Sequence, residues 1–284
     1  MPQRSPKKLI ERIGELYHAG YLDRPRAQLD YFDRAGSAPM VYAPGDRSNE
    51  VAPENAGIKW HDKNRLARRP YIEHALAIAD IMIALELSAR DRRDLEMLHQ
   101  HDLKGLQDSR RGTSRFSMSA IFHVNGSRHQ FTIVPDAVFA LRFKSSGRTA
   151  YFFLEVDRGT MAIDSRDLTK SSYRRKLLGY LTALKAGQHV ERFAFQNARM
   201  LTVTTSRERI QSMIAALNAI TRQTATGRFL FADLPSLLRS DPLSYSWLTN
   251  GASISGKALA CHRLDLGAGA ARGERARNLK FSRR

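Results

Sequence analysis

Near Arg115 the apolar residues change their spacing from that of a helix to that of a strand, and neither an all-helical nor an all-β fold accommodates both patterns. From there, residues 116–124, 129–135, 137–143 and 149–156 alternate with period two and read as four strands. Asn125-Gly126 and residues 145–148 supply the hairpin turns. A helix is expected over 165–186, a buried strand over 199–205, a helix over 206–222 and a last strand over 228–232. Hairpins followed by helix, strand and helix make a mixed α/β core with a central mixed sheet.

The first half is punctuated differently. Leu9, Ile10, Ile13, Leu16 and Tyr17 recur at helical spacing, which predicts an amphipathic helix over 6–21. Gly20 is placed to close it in the left-handed conformation, and Pro25 prevents its resumption. Two short extended pieces are expected at 28–33 and 39–43, around a turn at 34–37. A helix leading into a small hairpin is the end of a winged helix, in which the helix enters the major groove and the hairpin touches the backbone. Lys7, Lys8 and Arg12 on the first turns of that helix are then the DNA-contacting residues. The alternative is that helix and hairpin form an edge of the main domain. Only a few residues precede Pro6, so a winged helix here begins partway through, as in a truncated member or behind a late start codon.

Residues 46–68 are polar and rich in Pro, Gly and Asn and read as a linker. A strong helix is expected over 69–87, then a charged helix over 88–101 capped by Ser88. His99, His101 and Asp102 have the side chains of metal ligands, but two histidines two apart on a helix point to different faces, which argues against a site. Residues 104–113 read as a basic loop, and 251–284 as a basic arm with the composition of disorder. The domain plan is therefore 1–45, a linker 46–68, a main domain 69–250 and a tail.

Charge narrows the partners. Lys and Arg number 46 against 28 Asp and Glu, a formal charge of +18 that attracts nucleic acid, anionic membrane or acidic protein. The apolar run 75–87 is broken by Asp80 and Glu86 and is shorter than the roughly 20 residues a membrane span needs, so no membrane role is expected. The first residues carry no apolar stretch of a secretory signal, and a bacterial cytoplasm is the expected compartment. Cys261, the single cysteine, reads as an incidental residue of a late loop.

Residues 134–160, VPDAVFALRFKSSGRTAYFFLEVDRGT, hold the chemistry. Asp136 opens one strand, and Glu155 and Asp157 lie near the end of its hairpin partner, two apart and so on one face. Three carboxylates converging beside a basic surface suit a hard cation, Mg2+ or Mn2+, bridging them to phosphate oxygens. Such a metal activates water and offsets charge on phosphorus. The competing reading pairs Glu155 and Asp157 with Arg158 or Arg142. Glu155 directly follows the apolar run 151–154, where a carboxylate needs a task or a partner. Lys170 and Lys176 on the next expected helix are placed to reach back over the site.

These segments, with LYHAGYLDRP, VYAPG and EHALAIADIMIAL before them and MLTVTTSRERI after, resemble the replication-relaxation family from about residue 9 to about residue 220. VPDAVFAL and YFFLEVDRGT are the most specific. The resemblance implies proteins of bacterial plasmids, integrative elements and some phages, acting in plasmid replication or in relaxing plasmid DNA for mobilisation. It further implies a winged-helix module before a restriction-endonuclease-like domain of the PD-(D/E)XK superfamily. On that likeness Asp136 and Glu155 are the two motif acids, and Asp157 stands where the superfamily has lysine. Lys170 or Lys176 then supplies the missing cation, or Asp157 adds a metal ligand, or the site is inactive. Three functions follow: a metal-dependent DNA endonuclease or nickase, a non-catalytic DNA-binding replication or mobilisation factor, or a docking protein for a relaxase or replication proteins.

Overall fold

The computed structural model describes residues 5–28, 40–52, 58–103, 116–124, 127–165, 170–251 and 260–262. The chain divides into two compact units, residues 1–77 and 78–284. The expected turn at 34–37, the loop 104–113 and most of the extended piece 28–33 and of the tail lie outside the described residues.

In the first unit, helix α1 spans Pro6–His18, with Pro6 in the first turn, where a missing N–H is harmless. Gly20 closes it at φ +80°, as the sequence led one to expect. Strands β1 (Leu22–Asp23) and β2 (Ala43–Pro44) pair antiparallel, Leu22 opposite Pro44. The strand pair therefore starts earlier than expected on one side and later on the other. Residues 46–68 are expected as a linker, but among those described a 3₁₀ turn runs Asp46–Glu50 and helix α2 Trp60–Leu66. Several of their polar residues make specific hydrogen bonds within the unit while most of the charged ones stay exposed. Buried Asn64 donates to Asp23 (3.2 Å) and to the Pro44 carbonyl (2.9 Å), and Trp60 donates to Asn49 (2.9 Å). Arg24 packs over the Tyr17 and Tyr42 rings at 4.1 and 4.9 Å.

Helix α3 (Arg69–Arg90) runs one turn past its expected end. The charged helix expected over 88–101 does not form: β3 (Leu95–His99) pairs with β6 (Ala137–Phe143) instead, Leu95 opposite Phe143. Ser88 is no cap; its hydroxyl donates to Asp241. Cross-strand pairing here overrides the weak helical propensity of a short charged segment.

In the second unit, β4 (Met118–Val124) and β5 (Ser127–Ile133) form a separate hairpin. The main sheet continues with β7 (Thr149–Val156), β8 (Ala198–Thr204), β9 (Phe229–Asp233), β10 (Trp247–Thr249) and β11 (Ala260–His262). Its order is β11-β10-β9-β8-β7-β6-β3. Strands β7, β8 and β9 are parallel to one another, and the remaining neighbours are antiparallel, so the sheet is mixed as expected. Cys261 lies in β11 opposite Leu248 rather than in a loop.

Parallel neighbours need crossovers. Helices α4 (Tyr173–Lys185) and α5 (Gln188–Phe193) connect β7 to β8, and α6 (Arg207–Thr221) connects β8 to β9. A short α7 (Leu234–Leu238) follows β9. Ser172 and Ser206 cap α4 and α6, each accepting the N–H three residues on. α4 begins later than the expected helix over 165–186. The β4–β5 hairpin packs on α4 at Gly179, where an added Cβ would stand 2.5 Å from the Phe131 ring. Glycine costs about 1 kcal/mol inside a helix, and here it admits the ring.

Candidate functional site

The sheet builds the site from the neighbouring antiparallel strands β6 and β7. Asp136 sits at the head of β6, where its N–H donates to the Leu154 carbonyl (3.0 Å) and its carboxylate accepts the Val156 N–H (2.8 Å). That reciprocal pair locks Asp136 beside Glu155 on β7. Glu155 is 1% exposed, opposite Thr202 of the neighbouring β8.

A buried carboxylate needs partners for both oxygens. Helix α4 provides them one turn apart: Lys176 Nζ lies 2.5 Å from one oxygen, and the Tyr180 hydroxyl donates to the other at 2.6 Å. Burial pushes the Glu155 carboxyl up to about 7; the Lys176 charge opposes this and the Asp136 charge adds to it. Burial works against the Lys176 ammonium, yet Glu155 outweighs it and holds that group above its ordinary value. The Tyr180 hydroxyl is raised well above its ordinary value, first by burial and then by the Glu155 charge. Next to them the Tyr173 and Thr202 hydroxyls share a 2.6 Å hydrogen bond.

Asp157 faces a different partner. Arg209 of α6 grips it with two hydrogen bonds, 2.5 Å from Nε and 2.9 Å from Nη2. The Thr204 hydroxyl (2.5 Å) and the Gly159 N–H (3.3 Å) donate to the same carboxylate. Burial alone would raise its pKa; the Arg209 and Thr204 hydrogen bonds win and hold the group below its usual range. Arg209 also donates to the Met161 carbonyl (2.6 Å), tethering the segment that leads from β7 towards α4.

The structure thus joins Asp136, Glu155 and Lys176. Asp157 is occupied by Arg209, and Lys170 is exposed before α4, with no described bond to Glu155. Neither arginine weighed from the sequence is the partner seen: Glu155 pairs with Lys176 and Asp157 with Arg209, while Arg142 pairs with Glu96 (3.2 Å). Tyr180 was legible at helical spacing from Lys176. Arg209, Thr202 and Thr204 come from elements whose register only the sheet fixes.

Among the described residues, no group of three or more His, Cys, Asp or Glu stands in an arrangement able to hold a metal ion. His99 is on β3 rather than a helix; its ring stacks on His101 at 5.7 Å, and the two approach Glu86 and Asp102 at 3.5 and 3.4 Å. On α1, Lys7, Lys8 and Arg12 are exposed, and Arg12 pairs with Glu15 at 2.8 Å. No helix among the described residues is long and apolar enough to cross a membrane.

The family profile described as replication-relaxation matches residues 3–199, a span that includes Asp136, Glu155, Asp157, Lys176 and Tyr180 and ends before Arg209. No curated protein and no solved structure matches the chain.

Proposed function

The chain belongs to the replication-relaxation family, and on that premise we propose that it binds plasmid or other mobile-element DNA during replication or mobilisation and nicks it at Asp136, Glu155 and Lys176. One observation carries the catalytic part: a lysine from α4 lies 2.5 Å from a carboxylate that is buried next to a second acid at the head of the neighbouring strand. Isolated charges are not buried without strong reason, and perturbed carboxyls cluster at functional sites. We read the second unit as restriction-endonuclease-like, with the cation supplied by a helix where the motif position itself holds Asp157. The first unit, a helix followed by two paired strands, we read as winged-helix-like.

Each residue has a task in this reading. With no metal bound, Glu155, its carboxyl pushed up to about 7 by burial, is placed to accept a proton from an attacking water near neutral pH. Lys176 offsets the negative charge that grows on the phosphate oxygens. Tyr180 and the Val156 N–H fix the orientations of Glu155 and Asp136.

A three-carboxylate metal set does not fit, because the oxygens of Asp157 are held by Arg209, Thr204 and Gly159. Asp157 accepts four hydrogen bonds, as many as a carboxylate has lone-pair sites, whereas Glu155 accepts one on each oxygen, so Mg2+ or Mn2+ would be held by Asp136 and the remaining lone pairs of Glu155 and would complete its shell with water and phosphate. When bound, the ion would supply a more acidic water and charge compensation.

A second reading has its own support. Both Glu155 oxygens are satisfied inside the fold, which suits a non-catalytic DNA-binding factor. Supercoiled plasmid incubated with Mg2+ or Mn2+ separates the two. The chain should nick it, and Glu155→Gln should abolish nicking while binding DNA with unchanged affinity. If the unaltered chain leaves supercoiled, linear and single-stranded DNA intact with either metal, the catalytic reading falls and the binding one stands.

A further inference from the structure

On its other side, Lys176 lines a cleft of about 360 Å³ in the second unit, with Phe131, Val134, Met161, Ser171 and Arg175. Its lining combines two chemistries, and they meet where the Arg175 guanidinium lies over the Phe131 ring. Phe131, Val134 and Met161 form an apolar and aromatic side, and Val134 is 48% exposed. Ser171, Arg175 and Lys176 form a cationic and hydroxyl side.

The aromatic wall is fixed in advance. Phe131 meets the Phe122 ring edge-on at 5.5 Å, the Arg175 guanidinium lies 4.7 Å from its centroid, and the bare Cα of Gly179 backs it. Pocket and acidic site share one residue. Lys176, which lines the cleft, is also the group that holds Glu155.

We infer that this cleft takes one nucleotide of a single DNA strand, its sugar and base against Phe131, Val134 and Met161 and its phosphate against Arg175 and Lys176. The inference rests on the proposed function and names the form of DNA that reaches its site. A volume of this size is that of a small-ligand pocket, matched to one nucleotide rather than to the side of a duplex. A duplex presents phosphates outwards and hides its bases, so only a melted or extruded nucleotide meets both walls at once. Aromatic side chains beside a cationic track are how proteins hold single strands without reading sequence.

The test needs no cleavage. A fluorescent oligothymidylate of about 12 nucleotides and a duplex of equal length are titrated with the full chain in EDTA, reading anisotropy. Arg175→Gln removes the planar cation. Ser171→Glu, at an exposed position of the lining, sets a negative charge where the phosphate of the strand would sit; thermal melts check both folds. Each variant should weaken single-strand binding about ten-fold and duplex binding by less than about two-fold. Equal losses on both forms, a loss on the duplex alone, or no loss on either would overturn the assignment. Because binding is read without metal, a chain that fails to nick plasmid still shows whether the cleft holds a strand. A chain that nicks normally with no single-strand effect loses the cleft and keeps the catalytic site.

Discussion

Glu155 is a carboxylate that the fold would prefer to keep protonated, and this has a definite sign in stability. Its carboxyl is raised from 4.5 to about 7 by burial. Between those values the folded chain retains a proton that the unfolded chain has lost, so stability falls as pH rises through that window. A shift of that size corresponds to roughly 3 kcal/mol. Urea denaturation at pH 5 and at pH 8 should show this loss in the unaltered chain, and Glu155→Gln should remove most of the slope. An identical slope in both proteins would mean that Glu155 is not the titrating group. Asp157 behaves in the opposite sense. Its lowered carboxyl gives stability that is present above about pH 4 and lost as pH falls through its folded value. Side chains of Asp157 and Arg209 are 9% and 16% exposed, so Asp157→Asn leaves a nearly buried guanidinium short of its partner. The expected loss is about 3 kcal/mol, read as a lower urea midpoint without any metal present. Unchanged stability would return Asp157 to the role of a ligand waiting for its ion.

At the level of elements, β6 and β7 were legible residue for residue, because short apolar runs rich in aromatic residues on either side of a glycine turn leave little choice but a strand pair, although their buried residues run on continuously instead of alternating. The start of α6 at Ser206 was likewise legible, whereas α4 begins behind Ser172, well inside the span expected for a helix. The segment 95–99 was misread because LEMLH suits a short helix as well as an edge strand, and only its pairing with β6 decides. The 3₁₀ turn Asp46–Glu50 and helix α2 were missed for a related reason: Asn49 and Asn64 look like loop residues until their hydrogen bonds are seen. Of the site, the two acids and Lys176 were visible, while Arg209 sits on a helix whose placement comes from the parallel β7–β8 pairing. Helix α1 carries its own prediction. None of its residues is buried, so replacing Lys7, Lys8 and Arg12 together with alanine should leave the melting temperature unchanged. Removing up to three cations from the phosphate backbone should weaken duplex binding by roughly ten-fold or more at moderate salt. Unaltered affinity would remove α1 from the DNA interface and with it the winged-helix reading.

For the whole molecule, the proposed function has charge decide how DNA is met before any site is engaged. An excess of +18 spread over 284 residues gives a long-range attraction to polyanions that no single contact explains. Such binding draws its free energy from counterions released by phosphate, so the logarithm of affinity should fall linearly with the logarithm of salt. Roughly six neutralised phosphates would lower affinity about 10³-fold between about 50 and 200 mM salt. Titrating one labelled duplex across that range measures the slope, and the slope counts the phosphates neutralised. The α1 triple variant should make it shallower by about one unit for each phosphate that the helix no longer neutralises, whereas Glu155→Gln should leave it as it is, since a carboxylate enclosed by the fold releases no counterion. A flat salt dependence in the unaltered chain would mean that its basic residues do not meet phosphate, and the partner would then have to be sought among proteins rather than nucleic acids.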